Sequence, residues 1–206
     1  MKKTFSVITM LFIAVSTFAQ FNEGKVKYSL NFSSTDPQIQ AQMGMFQGST
    51  LQMYFSPEFN RVEMNMGMFM QTTTIAKIKT GETVTLMSGM IGKKATKFNP
   101  LDNKPDKKVE VEKTTETKKI AGYKCTKYKI ITEDGDLVTM WVTDEISASK
   151  EGLKFIDNRI SGFPLEFEVS PEGLTLVFSA LEVEKGLKKY SKKEIFDLSI
   201  PEGYEI

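Results

Sequence analysis

The sequence of 206 residues contains no histidine and only one cysteine, Cys125. Without histidine, the chain lacks the most common general base and metal ligand, and it cannot form a Ser-His or Cys-His nucleophile pair. A single cysteine cannot form a disulfide within the chain. Cys125 either packs as a small buried apolar residue or pairs with another chain, and we predict the first outcome.

The sequence also lacks an excess of charge of one sign, since 27 basic residues face 26 acidic ones. Nucleic-acid-binding proteins usually carry a strong basic excess, so we expect no nucleic-acid partner. Neither a glycine-rich phosphate loop nor a cluster with metal-ligand spacing is present, and we predict no cofactor. Most acidic residues fall at predicted turns or on the solvent side of strands. We therefore predict that the protein is not an enzyme; a pair of carboxylates that meet in a cleft is the alternative left open.

A long apolar run occurs only at the start of the chain. Met1-Lys2-Lys3 precedes an apolar stretch over residues 5–15, and Thr17 and Ala19 supply small residues at the positions that a signal peptidase requires. This pattern predicts a signal peptide over residues 1–19, cleaved before Gln20, and a periplasmic location. The stretch is shorter than the about 20 residues that cross a bilayer, although a retained anchor is the alternative. Because no cysteine follows, we expect no lipid anchor.

The remainder, residues 20–206, is predicted to be one domain made mostly of strands. Apolar residues alternate with polar ones, as in Val26, Tyr28, Leu30 and Phe32, which is the pattern of a strand with one buried face. Asp134-Gly135 marks a hairpin turn. Together these patterns predict about eleven strands. Their expected starts are near residues 24, 50, 61, 71, 82, 93, 107, 122, 137, 164 and 174.

Helix signals are few. Asp36 is expected to cap a short helix that begins at Pro37, and Ser191 with Glu194 has the spacing of a capping box. A third, weak helical stretch covers residues 147–155. We therefore predict a mainly β fold, with two or three short helices. Its large curved antiparallel sheet would form a half-barrel, and the helices would cover its concave side or close its ends.

Methionine is the most unusual feature of the composition. Met64, Met66, Met68 and Met70 occupy every second position and, with Val62, predict one apolar face of a strand. Three interpretations remain open. The methionines fill an irregular core, they line an adaptable cavity for lipophilic ligands, or their thioethers bind Cu(I).

A basic cluster near the end of the chain has two interpretations. Its five lysines are interspersed with glutamates, so a solvated face is the expected role, and contact with anionic lipid headgroups is the alternative. The cluster comprises Lys185, Lys188, Lys189, Lys192 and Lys193.

Four short segments, taken in order, resemble a known family. They are IAGYKC (residues 120–125), WVTDEI (141–146), GFPLE (162–166) and FDLSIPEGY (196–204). They are similar to exported Gram-negative proteins defined as a domain of unknown function, related to the LolA/LolB lipoprotein-carrier fold. The resemblance is clearest from about residue 105 to the end. It implies a curved antiparallel sheet around an apolar hollow with helices as a lid, and it supplies no functional residues.

These patterns lead to two functional hypotheses. The first is a non-enzymatic periplasmic binder or carrier of an acyl chain, a lipid or a lipoprotein moiety. Its expected lining is Met64, Met66, Met68 and Met70, with Met43 and Phe46 as lid contacts and Trp141 as a wall. The second is an envelope protein-interaction or scaffold module whose hollow is filled by its own side chains.

Overall fold

A single antiparallel sheet organises the computed structural model, which describes residues 20–90, 92–98, 109–132, 137–151, 153, 156–157, 159–170 and 174–206. The sheet has eleven strands in the order β6-β5-β4-β3-β2-β1-β11-β10-β9-β8-β7. The strands are β1 (Gly24–Ser34), β2 (Thr50–Phe55), β3 (Phe59–Asn65), β4 (Met70–Lys77), β5 (Thr83–Gly89), β6 (Lys94–Phe98), β7 (Glu110–Ile120), β8 (Tyr123–Ile131), β9 (Leu137–Thr143), β10 (Phe163–Val169) and β11 (Leu174–Lys185). The predicted mainly β class is confirmed. The pairing of β1 with β11 joins two runs of consecutive hairpins.

Two short α-helices accompany the sheet. Helix α1 (Pro37–Gln42) begins as predicted, because the Asp36 side chain accepts a hydrogen bond from the backbone N–H of Gln38 at 2.7 Å. A short 3-10 helix (Met43–Phe46) continues it. Helix α2 (Lys192–Ile195) follows Ser191, whose side chain makes no capping hydrogen bond.

The predicted third helix is wrong for the part of residues 147–155 that the structure describes. Residues 147–150 have no regular structure, and residue 151 lies in a turn. This segment is instead held by the side chain of Asn60 on β3 and by its own Lys150. The amide nitrogen of Asn60 donates to the backbone oxygens of Ser149 at 2.9 Å and Glu151 at 2.7 Å, and the ammonium of Lys150 donates to Asp157 O at 3.1 Å.

The sheet curves strongly, as contacts between distant strands show. Strands β2 and β10 are three strand spacings apart, about 14 Å in a flat sheet. The rings of Phe55 on β2 and Phe163 on β10 nevertheless have centroids 5.4 Å apart. Tyr28 on β1 likewise meets Phe167 on β10 at 5.9 Å. We call the face on which Tyr28 and Phe167 meet the inner face.

The main core lies on the inner face. Tyr28, Phe55, Leu165 and Met140 are buried there. The connection between β9 and β10 adds four buried aliphatic side chains to the same core, so part of the curved surface is filled by the chain itself. These side chains are Ile146, Leu153, Ile156 and Ile160. We call the end of the sheet that this connection covers the closed end, and the opposite end the rim.

A smaller core covers the outer face of the first hairpins. The segment after β11 lays Leu187 and Phe196 against Tyr54 and Ile75. The rings of Phe59 and Phe196 stack with centroids 5.4 Å apart. The segment then reaches β6 through a bridge between Lys94 and Glu205. Most lysines of the predicted basic cluster lie on this segment and are exposed, as a solvated face requires.

Candidate functional site

Two registered rows of apolar side chains cross the inner face, and their burial differs. The row nearer the closed end, Leu30, Phe178, Phe167 and Met140, is buried. The next row toward the rim is apolar, and most of its members are only half-buried. We call the half-buried members of that row the mouth: Phe32, Leu176, Val169, Val138 and Val111. Ile130, which lies between Val138 and Val111 in the register, is buried. A row of apolar side chains that the chain covers only in part is a surface on which a lipophilic ligand can bind.

Aromatic contacts connect the mouth to the 3-10 helix. The ring of Phe46 stacks on Phe32 with centroids 5.2 Å apart and meets Phe69 edge-on at 5.5 Å. Phe46 therefore lies beside the mouth, where the sequence placed it as a lid contact. Met43, its predicted companion, is half-buried on the same 3-10 helix. A binding role for either residue remains a prediction.

The expected methionine strand does not exist. Met64 lies near the end of β3, Met66 and Met68 lie in the turn to β4, and Met70 begins β4. The chain reverses at Gly67, whose φ of +65° favours glycine and whose N–H donates to Asn65 Oδ1 at 2.8 Å. The four methionines therefore do not share one strand face.

Only one of these four methionines packs against the inner core. Met64 is half-buried there, opposite Leu51 on β2. Met68 is 91% exposed at the tip of its turn. The alternation of methionines was misleading because a hairpin turn interrupts it, and Gly67 within the run is the signal that locates this turn.

Trp141 lies on the other side of the sheet from Met64. It follows Met140, an inner-face residue, and successive side chains on a strand point to opposite faces. The Lys118 ammonium lies 4.4 Å from the ring centroid and also pairs with Glu166 at 2.6 Å. Trp141 also packs against the main core, but it lies on β9, several strands away from Met64 on β3, so the predicted wall beside the methionines is wrong.

One cationic side chain stands next to the mouth. Lys113 lies opposite Tyr128 on the neighbouring strand, with its ammonium 5.5 Å from the centroid of the ring. A hydrogen bond with the Tyr128 hydroxyl and, to a smaller extent, the negative charge of Asp144 raise the pKa of Lys113, which is charged at neutral pH. The site thus combines an apolar row with a positive charge. The sequence alone predicted neither the mouth nor the position of Lys113 next to it, although the alternation in β1, β10 and β11 marks the apolar positions.

Cys125 is fully buried, as predicted. Burial raises the pKa of its thiol to about 12. Because the thiolate is the reactive form, burial disfavours reaction of Cys125 in the folded protein at neutral pH.

Two clefts lie away from the mouth, and neither contains a predicted methionine. One, of about 420 Å³, lies beside the stacked rings of Phe59 and Phe196 at the outer core and is also lined by Glu23 and Lys192. The other, of about 430 Å³, adjoins the β9–β10 connection and includes Lys150 and Arg159. In this second cleft, backbone oxygens bind the Lys150 ammonium and Asp157 pairs with Arg159 at 2.8 Å, so both cations are already engaged.

Two further geometric findings concern metals and membranes. Among the described residues, no three side chains of His, Cys, Asp or Glu lie where they could hold one metal ion. No helix in the same part of the chain is both long and apolar enough to cross a bilayer.

Comparison with known proteins places the chain in a family. It belongs to the family "Domain of unknown function (DUF4412)", whose model matches residues 29–156. The predicted membership of an uncharacterised family is therefore confirmed. The matched region runs from β1 into the β9–β10 connection. It includes the IAGYKC and WVTDEI motifs and excludes the two later ones.

Among solved structures, 22 chains match. One is a LolA superfamily protein from Nitrosomonas europaea, with 8% identity and a TM-score of 0.26, over 85% of this chain and 91% of that one. Similarity at this level does not indicate what the chain binds. Comparison with curated proteins gives no match.

Proposed function

We propose that the protein is a non-enzymatic periplasmic binder or carrier of a lipophilic ligand with an acyl chain, which enters the curved sheet at the mouth. The observation that carries this proposal is the mostly half-buried apolar row from Phe32 to Val111. Leaving such a row partly open to water makes the fold less stable, because each half-exposed side chain lacks part of the free energy of burial. A bound acyl chain would complete that burial.

Lys113 narrows the class of ligand. Its charged ammonium stands beside Tyr128, in register with the buried row next to the mouth. An amphiphile with an anionic headgroup would place its chain on the mouth and its headgroup near this lysine. The proposed ligand is therefore a fatty acid, or a phospholipid or lipopeptide with an anionic group next to its acyl chain.

The direct test is to purify the protein from its host and analyse organic extracts by mass spectrometry, and then to titrate the delipidated protein with a fluorescent fatty acid. Leu176→Gln, in the mouth, should weaken binding about tenfold. Leu181→Gln is the matched control, because Leu181 lies on the same strand but is 61% exposed and outside the inner core. Lys113→Gln should weaken binding of a fatty acid more than that of the corresponding alcohol. If no lipophilic compound co-purifies and the delipidated protein ignores the probe, the proposal fails.

The second candidate is an envelope interaction module without a ligand. It is favoured by the β9–β10 connection, which fills part of the inner face with Ile146, Leu153, Ile156 and Ile160. For this candidate, affinity capture from envelope extracts should recover a stoichiometric protein partner, and Leu176→Gln should leave that partner bound.

Periplasmic location is part of the proposal and has its own test. The predicted signal peptide, residues 1–19, lies outside the described residues. N-terminal sequencing of protein from a periplasmic fraction should begin at Gln20. Recovery only in the cytoplasmic fraction with residues 1–19 attached would contradict this part.

A further inference from the structure

The large apolar side chains that the described residues expose are concentrated at the rim. Six of the eight lie at strand ends or turns on that side: Met45, Met68, Phe69, Met90, Ile131 and Leu137. The other two are Leu181 and the terminal residue Ile206. Antiparallel hairpins alternate between the two ends of a sheet, so this one-sided distribution does not follow from the topology.

Four of these residues lie on chain segments that contact one another, and we call them the methionine rim: Met45, Met68, Phe69 and Met90. Phe46, next to Met45, contacts Phe69 with ring centroids 5.5 Å apart. The N–H of Met90 donates to the backbone oxygen of Phe69 at 3.2 Å, which holds the β5–β6 turn against the β3–β4 turn. Met68, Met90 and Met45 are 91%, 79% and 61% exposed.

The charges beside this surface are of both signs, because the exposed Glu205 is bridged to Lys94. The chain segments that build it, residues 37–57, 64–76 and 83–92, contain no charged residue. The next two residues in the chain, Lys93 and Lys94, are both exposed. The uncharged apolar surface itself suits a lipid interface, where its side chains enter the acyl boundary, and Lys93 and Lys94 beside it are placed to meet anionic headgroups.

We infer that the methionine rim docks reversibly on the surface of an anionic lipid bilayer. Unbranched methionine side chains suit this contact because they adapt to a disordered partner. The docking concerns the outside of the rim and requires no ligand in the mouth, so it stands independently of the proposed carrier function. It assigns membrane contact to the rim and not to the basic cluster of the C-terminal segment.

The test is flotation of the purified full-length protein with vesicles of phosphatidylcholine alone and of phosphatidylcholine with phosphatidylglycerol. We expect binding to the mixed vesicles that weakens as salt shortens the screening length. The triple variant M45S/M68S/M90S should bind at least about tenfold more weakly. Leu181→Ser is the matched control, because Leu181 is as exposed as Met45 but lies away from the rim, and it should bind like the wild type.

The lysines are tested separately. K93Q/K94Q should lose about fivefold per lysine on the mixed vesicles and nothing on phosphatidylcholine alone. K188Q/K189Q removes the same charge from the C-terminal segment and should have no effect. Thermal unfolding of each variant checks that it folds.

Three results would overturn the inference. The first is absence of binding to both kinds of vesicle. The second is an equal loss of binding in Leu181→Ser and the triple variant. The third is light scattering that shows self-association abolished by the triple variant, which would make a second copy of the chain the occupant of the rim.

Discussion

The two ends of the sheet differ in what their turns carry. At the closed end, turns expose charged residues such as Glu58, Lys79 and Asp144, and the long β9–β10 connection packs its aliphatic side chains inward. At the rim, turns expose methionine and phenylalanine, and the inner face opens through the half-buried mouth. The closed end therefore has the composition expected of a structure optimised for stability, whereas the rim retains apolar surface that folding does not bury.

The prediction with the largest expected effect concerns the removal of one phenyl ring at each end of the sheet. Phe55 is fully buried at the closed end, whereas Phe32 is half-buried in the mouth. Phe55→Ala should lower the free energy of unfolding by about 4 kcal/mol, because it leaves a cavity, and Phe32→Ala by about half as much. Urea denaturation measures both. Equal losses would show that the mouth is packed as tightly as the closed end.

Glycine provides the next comparison. Gly162 and Gly67 both have positive φ, +94° and +65°. A Cβ at Gly162 would lie 2.4 Å from the backbone oxygen of Thr143, whereas one at Gly67 would meet nothing within 4 Å. Gly162→Ala should cost about 3 kcal/mol, from backbone strain and overpacking, and Gly67→Ala about 1 kcal/mol from strain alone. Thermal or urea unfolding measures the two losses of stability. A larger loss in Gly67→Ala than in Gly162→Ala would contradict the close packing of the closed end.

Two asparagines at opposite ends of β3 give a smaller contrast. Asn60 ties the β9–β10 connection to the sheet, and Asn60→Ala leaves two backbone oxygens unpaired, which should cost about 2 kcal/mol. The expected loss of stability is reduced because the substitution also removes Asn60 Oδ1, which is buried without a hydrogen-bond partner. Asn65→Ala, at the exposed rim turn, should cost less than about 1 kcal/mol. Hydrogen exchange of residues 146–151 should be faster in Asn60→Ala than in Asn65→Ala or the wild type. Protection equal to that of the wild type would show that Asn60 does not hold this connection on the sheet.

The smallest expected effect depends on pH. A hydrogen bond from Lys192 holds the pKa of Glu23, at the closed end, below its ordinary value of 4.5. A lowered carboxyl pKa stabilises the fold above pH 4.5, and this contribution disappears as pH falls through the lower, folded-state value. Because the pair is partly exposed, its worth is below about 1 kcal/mol. Glu23→Gln should be slightly less stable than the wild type at pH 7 and equal to it near pH 2, as measured by urea unfolding; a constant difference across pH would exclude this pair as the cause.

Strand positions were predictable because each strand buries one face. The alternation of Val26, Tyr28 and Leu30 locates β1 without reference to any other strand. For the described strands, predicted and observed starts agree within three residues. The capping of α1 was predictable for the same reason, since Asp36 acts on its immediate neighbours in the chain.

The candidate site was less predictable, because it depends on contacts between distant residues. Alternation places Phe32 and Leu176 on strand faces, but only the register of β1 with β11 makes them neighbours. The apolar residues from Ile146 to Ile160 have helix-like spacing, yet Asn60 and Lys150 hold the connection in an irregular path. The methionine run fails for a local reason, since alternation alone does not reveal where a strand turns back.

The strand order has a consequence for how the chain folds. Residues 24–98 and 109–185 each form hairpins between consecutive strands, which need only short-range loop closure, and they meet along the single seam of β1 and β11. That seam joins residues such as Gly24 and Lys185 and cannot form until β11 has been synthesised. Pairing over so long a separation is entropically costly and slow. The last strand to be synthesised thus determines when the two halves of the sheet can join.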